Sequence, residues 1–272
     1  MKSRFLSVFL ASASWLAVAQ TPAGDRVAIP ITDPARPVTL RADLVTGSIH
    51  VKTGATKEVI VEAKARGRDG KESGAREGMH RIAVNSTGLE AEEENNVVRV
   101  SAASHSQEVD LDIQVPTRTS LKLKTINGGD IVVDGVQGEI EVTNINGDVT
   151  LNNVGGSAVA HALNGKVKVT FTQVDPQKAM SFSSMNGDID VTFPASLKAN
   201  VRLKSDRGEV FSDFDLTLTT SAKPVVEDSR NNKGKYKVKI DRSVTGTING
   251  GGPEFQFSNM NGGIYIRRAG AR

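Results

Sequence analysis

The chain has 272 residues, enough for one or two domains with a sizeable core, and its lack of cysteine excludes disulfides and a thiol-linked lipid anchor. Aromatic residues make up only 4% of it, too few for the stacking platforms that single-stranded nucleic acid usually requires. The formal charge of +3 gives no bulk electrostatic case for nucleic acid either.

Residues 1–19 open with Lys2 and Arg4, continue as an apolar run broken only by small serines, and end Ala17-Val18-Ala19. A basic start, a short apolar run and a small-x-small end predict a secretory signal peptide, since the run is short for a bilayer span. Lys2 and Arg4 are two of the 34 basic residues, so a chain cut after Ala19 carries 32 against 31 acidic ones. The expected location is outside the cytoplasm: periplasm, cell envelope or extracellular space. No transmembrane run follows residue 19.

Residues 20–37 hold four prolines without periodicity and read as an extended leader. A single β-repeat domain is expected over 38–268, irregular over 38–118 and regular over 119–268. Val38 and Leu40 alternate, and Gly47-Ser48-Ile49-His50-Val51 matches the opening of a unit that recurs later. Further strands are expected around Val59 and Val61, over 82–84, over 97–100 and over 109–115, with a solvated glycine-rich loop at 66–79. The acidic run 90–94 reads as a solvated hairpin tip. No stretch keeps a helical period.

Gly129, Gly138, Gly147, Gly156 and Gly165 then fall nine residues apart. Each unit places apolar residues at its third and fifth positions, such as Ile131 and Val133, Ile140 and Val142, Val149 and Leu151. That alternation marks a half-buried strand. Val136, Ile145, Val154 and Leu163 add an apolar residue at the eighth position, which breaks the alternation and predicts a corner there. Asn127, Asn146, Asn164 and Asn186 stand at alternate corners, before Gly128, Gly147, Gly165 and Gly187; the corners between carry paired glycines. Asn and Gly both tolerate positive φ, which tight corners require.

Two units therefore make one coil of about 18 residues, and the predicted fold is an all-β, β-solenoid-like stack of such coils. Ile131, Val149 and Val167 would stack in one sheet, Ile140 and Ala158 in the facing one. The rival is an antiparallel β-meander or sandwich, because Asn-Gly is also a strong hairpin signal. A lone coil cannot bury its apolar face, so neighbours must share it, and the end edges need covering by irregular β-hairpin caps. Residues 38–118 and the excursion 211–239 are the candidates. Phe171, Phe182, Phe193, Phe211, Phe214, Phe255 and Phe257 all lie late in the chain, where a wider end would need filling.

The repeated Asn-Gly-Asp-Ile/Val units, the signal-like start and the Val115-Pro116 strand leading into Leu121-Lys122-Leu123-Lys124-Thr125 resemble the bacterial putative-adhesin family. The resemblance covers roughly residues 38–268. It implies an exported β-strand-repeat domain at the cell envelope, of otherwise unknown function, and some relatives are associated with envelope-stress responses. It brings no catalytic residues to carry over.

His50, His80, His105 and His161 are scattered without metal-ligand spacing, and no nucleophile elbow, phosphate loop or dinucleotide fingerprint occurs. No cofactor is expected. Asp130, Asp148 and Asp188 follow corner glycines and would form a column with Glu209, interrupted by Lys166. Such a column could hold a cation such as calcium, or merely cap the corners. The expected function is a non-enzymatic envelope or surface module binding a glycan, a membrane surface or a protein. The alternative is a polysaccharide-active enzyme on a parallel β-helix, which would need clustered carboxylates on one outer face.

Overall fold

The computed structural model describes residues 24–66, 87–102, 108–219, 224–229, 235–240 and 243–271. The signal-like segment 1–19, residues 67–79 of the glycine-rich loop, the strand expected over 82–84, His80 and His105 lie outside them.

Among the described residues every regular element is a strand. In chain order these are β1 (Asp25–Pro30), β2 (Val38–Thr46), β3 (Ile49–Thr53), β4 (Glu58–Arg66), β5 (Leu89–Glu94), β6 (Val97–Ala102) and β7 (Glu108–Val115). Then come β8 (Thr119–Asn127), β9 (Ile131–Asp134), β10 (Gln137–Asn146), β11 (Val149–Asn164), β12 (Val167–Val174), β13 (Met180–Asn186) and β14 (Ile189–Phe193). The last are β15 (Ala199–Ser205), β16 (Val210–Ser212), β17 (Thr217–Thr219), β18 (Pro224–Ser229), β19 (Lys235–Ile240), β20 (Val244–Ile248), β21 (Glu254–Asn261) and β22 (Ile264–Arg268).

A rung consists of one strand in a first sheet, a corner, and one strand in a second sheet. The first sheet runs β6, β2, β8, β10, the second half of β11, β13, β21, β15, every neighbour parallel. The second runs β7, β3, β9, the first half of β11, β12, β14, β22, β16, again all parallel. Read together these are eight rungs of a parallel β-solenoid, and the all-parallel pairing rules out the meander. The expected register holds: Ile131, Val149 and Val167 are cross-strand partners in the second sheet, Ile140 and Ala158 in the first.

Spatial order departs from chain order at both ends. The β2–β3 rung lies second, between β6–β7 and β8–β9. The β21–β22 rung lies seventh, between β13–β14 and β15–β16. Antiparallel strands cover the ends: β4 on β7, β1 on β4 and β5 on β6 at one, β20 on β15 and β17 on β20 at the other. Residues 38–118 thus supply two rungs as well as cap strands. The segment expected as a leader contributes β1, the acidic run forms most of edge strand β5, and the 211–239 excursion includes the separate hairpin β18–β19.

The core is one continuous cluster of side chains from both sheets. Phenylalanines fill its middle and later rungs instead of a wider end. Phe171 and Phe193 stack with centroids 5.2 Å apart, and Phe182 meets both edge-on across the sheets. Phe255 and Phe257 extend the cluster into the next rung.

One pattern differs from expectation. Val136 and Val154, at the glycine-paired corners, are fully buried, as the eighth-position rule predicts. At the Asn-Gly corners the alternation continues unbroken. Thr125, Asn144, Ala162, Ser184 and Asn259 point inward, so Ile145 and Leu163 are only half-buried, and Met185 and Met260 are exposed. The inward polar groups bond backbone oxygens that stacking leaves free. Thr125 Oγ1 donates to Gly47 O at 3.0 Å, Asn144 Nδ2 to Gly129 O at 2.9 Å, Ser184 Oγ to Gly165 O at 2.9 Å and Asn259 Nδ2 to Gly187 O at 2.8 Å. A buried carbonyl left unpaired would be costly, which explains polar residues at core positions.

Candidate functional site

The stack has two long edges. At the asparagine edge the chain passes from the first sheet to the second. Neither Asn127, Asn146, Asn164 nor Asn186 has positive φ, so the conformational reason expected for them does not apply. Their side chains form a ladder. Asn146 Nδ2 donates to Asn127 Oδ1 at 3.3 Å, Asn164 to Asn146 at 2.9 Å, Asn186 to Asn164 at 2.7 Å and Asn261 to Asn186 at 2.8 Å. Arg207 ends it with a bond to Asn261 Oδ1 at 3.1 Å. Identical amides one rung apart satisfy each other as donor and acceptor.

Gly129, Gly147, Gly165 and Gly187 stand at this edge, Gly138 and Gly156 at the other. Close approach is the reason for several of them: a Cβ on Gly138 would overlap the Thr119 carbonyl, and one on Gly165 the Gly147 carbonyl.

The acidic column sits beside the asparagine ladder. Asp130 Oδ1 accepts the Asp148 backbone N–H at 2.8 Å, and Asp148 Oδ1 accepts that of Lys166 at 2.7 Å. Asp188 Oδ1 accepts that of Gly263 at 2.9 Å. Each carboxylate therefore caps the corner of the next rung. Gly263 separates Asp188 from Glu209, and Lys166 separates it from Asp148. Among the described residues no three acidic or histidine groups gather as a metal site.

On the outer faces the carboxylates are engaged locally. Asp190 bonds Arg267 at 2.7 Å, and Asp134 accepts from Asn152 at 2.9 Å. Asp190 is the main reason the Arg267 guanidinium is held above its usual pKa. His161 Nδ1 lies 2.7 Å from Ser183 Oγ on the first sheet. His50 lies 3.4 Å from Asp112, which also bonds Lys64 at 2.9 Å.

The glycine edge, where the chain returns to the first sheet, is hollowed. Among the described residues, cavities of about 240, 220 and 380 Å³ lie along it. The first is bounded by the loop 31–37, the turn at Thr56 and Lys57, and the turn at Pro116, Thr117 and Arg118. The second shares Pro37 and Arg118 with it and continues past Ser120, Gln137, Glu139, Ser157 and Asp175. The third lies farther along, between residues 172–176, 194–198 and 251–253.

Loop 31–37 is pinned from beneath. Asn96, only 4% exposed, donates through Nδ2 to Asp33 O at 2.7 Å, and its Oδ1 accepts from Asp33 N at 2.8 Å. Glu93 accepts from Asn96 N at 2.8 Å and from Thr32 Oγ1 at 2.9 Å. The Asn96 backbone N–H, then the Thr32 hydroxyl, hold the Glu93 carboxyl below its usual pKa of 4.5. A depressed carboxyl pKa stabilises the fold above the unfolded value, and the stabilisation is lost as pH falls through the folded one. Acidification to below the usual 4.5 should therefore loosen this loop before the stack unfolds. In pH-dependent NMR spectra the Thr32 and Asn96 amides should shift in the wild type and stay still in Glu93→Gln; identical titration in both would refute the assignment.

Sequence reasoning places the corners but misses this edge. Arg36, Lys57 and Arg118 come from three separate segments, and only the parallel stacking brings them together. The asparagine spacing is the available signal for the amide ladder, and turn chemistry alone does not reveal it.

A two-sheet parallel β-solenoid with capped ends defines the class. The chain belongs to the Toastrack DUF4097 family, whose model matches residues 39–249. Among solved structures it is similar to a putative cell adhesion protein from Clostridium sporogenes, at 10% identity and a TM-score of 0.44, covering 90% of this chain and 100% of that one. It is also similar to a putative adhesin from Bacteroides fragilis, at 11% identity and a TM-score of 0.36, covering 91% of this chain and 98% of that one. No curated protein matches it. Among the described residues no helix is long and apolar enough to cross a membrane.

Proposed function

We propose that this protein is an exported, non-enzymatic module of the cell envelope that binds an extended ligand and serves adhesion or an envelope-stress response. The supporting observation is the hollowed glycine edge, three cavities along one side of a stiff stack. The asparagine edge is, by contrast, occupied with its own inter-rung bonds. Successive shallow sites on a rigid scaffold suit a partner held through many weak contacts, because little ordering entropy is lost on the protein side. Export rests on the residues 1–19, whose composition and end fit cleavage before Gln20.

The test uses the protein recovered from its native host. Its N-terminus should be Gln20, and it should be retained on host envelope material and on members of a polysaccharide panel without releasing reducing ends or unsaturated sugars. Retention of Met1 would reject export. Catalytic release abolished by Asp134→Asn or Asp190→Asn would replace the binding module with an enzyme.

A further inference from the structure

We propose that the first cavity of the glycine edge is an anion subsite for an acidic glycan whose charged sugars are separated by neutral ones. This rests on the binding-module reading and names its ligand class. Arg36, Lys57 and Arg118 line a space of about 240 Å³, and among the described residues no acidic one lines it with them. All three side chains are exposed, and none takes part in a salt bridge among those found in the described residues. Three like charges around one small space repel each other, and an oxyanion placed between them removes that repulsion and gains charge-assisted hydrogen bonds. Two guanidinium forks suit the planar oxygens of a carboxylate.

The walls are prepared in advance. Pro34, Pro37 and Pro116 fix the local backbone and offer no N–H, and the polar side chains of the lining are the three cations, Thr56 and Thr117. The buried Asn96 clamps loop 31–37 to the β5–β6 turn, so the subsite exists before a ligand arrives.

The adjoining cavity argues for a glycan. It begins at the same Pro37 and Arg118, then presents Ser120, Gln137 and Ser157 beside the carboxylates of Glu139 and Asp175. Hydroxyl and carboxamide groups match sugar hydroxyls as donors and acceptors. Lys178 bonds Glu139 at 2.6 Å, so the two carboxylates leave one net negative charge here, which repels a second anion close to the first. A densely charged polymer, such as nucleic acid, would meet that repulsion; a chain alternating charged and neutral sugars would not.

The probe is a hyaluronan octasaccharide, in which carboxylate-bearing and neutral sugars alternate, with its carboxyl-methyl ester as the uncharged control. Binding to the mature protein is measured by calorimetry. Arg36→Gln/Arg118→Gln, and separately Lys57→Gln, should each weaken binding by roughly tenfold or more, about 1.4 kcal/mol, and the ester should be weakened similarly. Lys168→Gln on the outer face of the second sheet removes one charge away from the cavity and should leave affinity unchanged. Binding should also fall as salt is raised. Equal loss in Lys168→Gln and the cavity variants, or equal affinity for acid and ester, would overturn the subsite. So would undiminished binding of the octasaccharide to folded cavity variants. Envelope retention that survives in those variants would overturn the subsite alone and leave the binding module standing. Loss of envelope retention by the wild type would overturn both.

Discussion

Gly129→Ala is expected to destabilise the protein by about 4 kcal/mol or more, whereas Gly128→Ala, one residue earlier, should cost about 1 kcal/mol. The two glycines are needed for different reasons. A Cβ on Gly129 would overlap the carbonyl carbon and oxygen of Gly47 on the neighbouring rung, with Ser48 N also at 2.5 Å. All three are backbone atoms, so no side-chain rotation relieves the clash. Moving the rungs apart would stretch the bonds Gly47 N to Asn127 O, 3.1 Å, and Ile49 N to Asp130 O, 3.0 Å. Gly128 has φ of +67° and nothing within 4 Å of where an added methyl would stand, so alanine there meets only left-handed backbone strain. Urea midpoints of the two variants separate these cases. Equal losses would mean that the corner tolerates a wider rung spacing than the stacking implies.

Val149→Asp should be as severe, at about 4 kcal/mol or more, with Thr150→Asp within roughly 1 kcal/mol of the wild type. Val149 is fully buried between its partners Ile131 and Val167. A carboxylate there has no hydrogen-bond donor facing it from either neighbour, because both are aliphatic. Thr150 points outward between Val132 and Lys168, where an added carboxylate meets water and a cation. Thermal melting of both variants checks the register. Similar melting temperatures would displace the strand by one residue and exchange its two faces.

Local periodicity makes the rungs legible. Glycines nine residues apart fix which atoms face a neighbouring backbone, and the third and fifth positions of each unit fix which side chains enter the core. The asparagines are harder. Asn146 and Asn164 are informative only once they are known to lie one rung apart in parallel strands, since an amide ladder is a relation between residues and has no local signature. Asn144 and Asn259 are hidden for a related reason. Their inward placement answers carbonyls on other segments, Gly129 O and Gly187 O, that sequence pattern does not display. The order of rungs is illegible as well. Leu40 pairs with Val98 on one side and Leu121 on the other, and such aliphatic pairs would suit almost any rung of the stack. The candidate subsite depends on that order, because Arg36 precedes β2 while Arg118 precedes β8.

The interleaving of rungs changes how the stack can come apart. In a simple array the outermost repeat is also the end of the chain, so peeling it away releases a freely moving tail. Here the outermost rungs, β6–β7 and β15–β16, are tethered along the chain on both sides, to β5 and β8 at one end and to β14 and β17 at the other. Peeling one away frees only a closed loop, whose gain in chain entropy is smaller than that of a tail. The rungs nearest the chain's ends, β2–β3 and β21–β22, are in turn gripped by neighbours above and below, and of the strands at those ends only the cap strand β1 lies on an outer edge. The rungs consequently lack an easy place from which to unzip, and their unfolding should resemble the opening of a clasp held at both ends more than the unravelling of a thread.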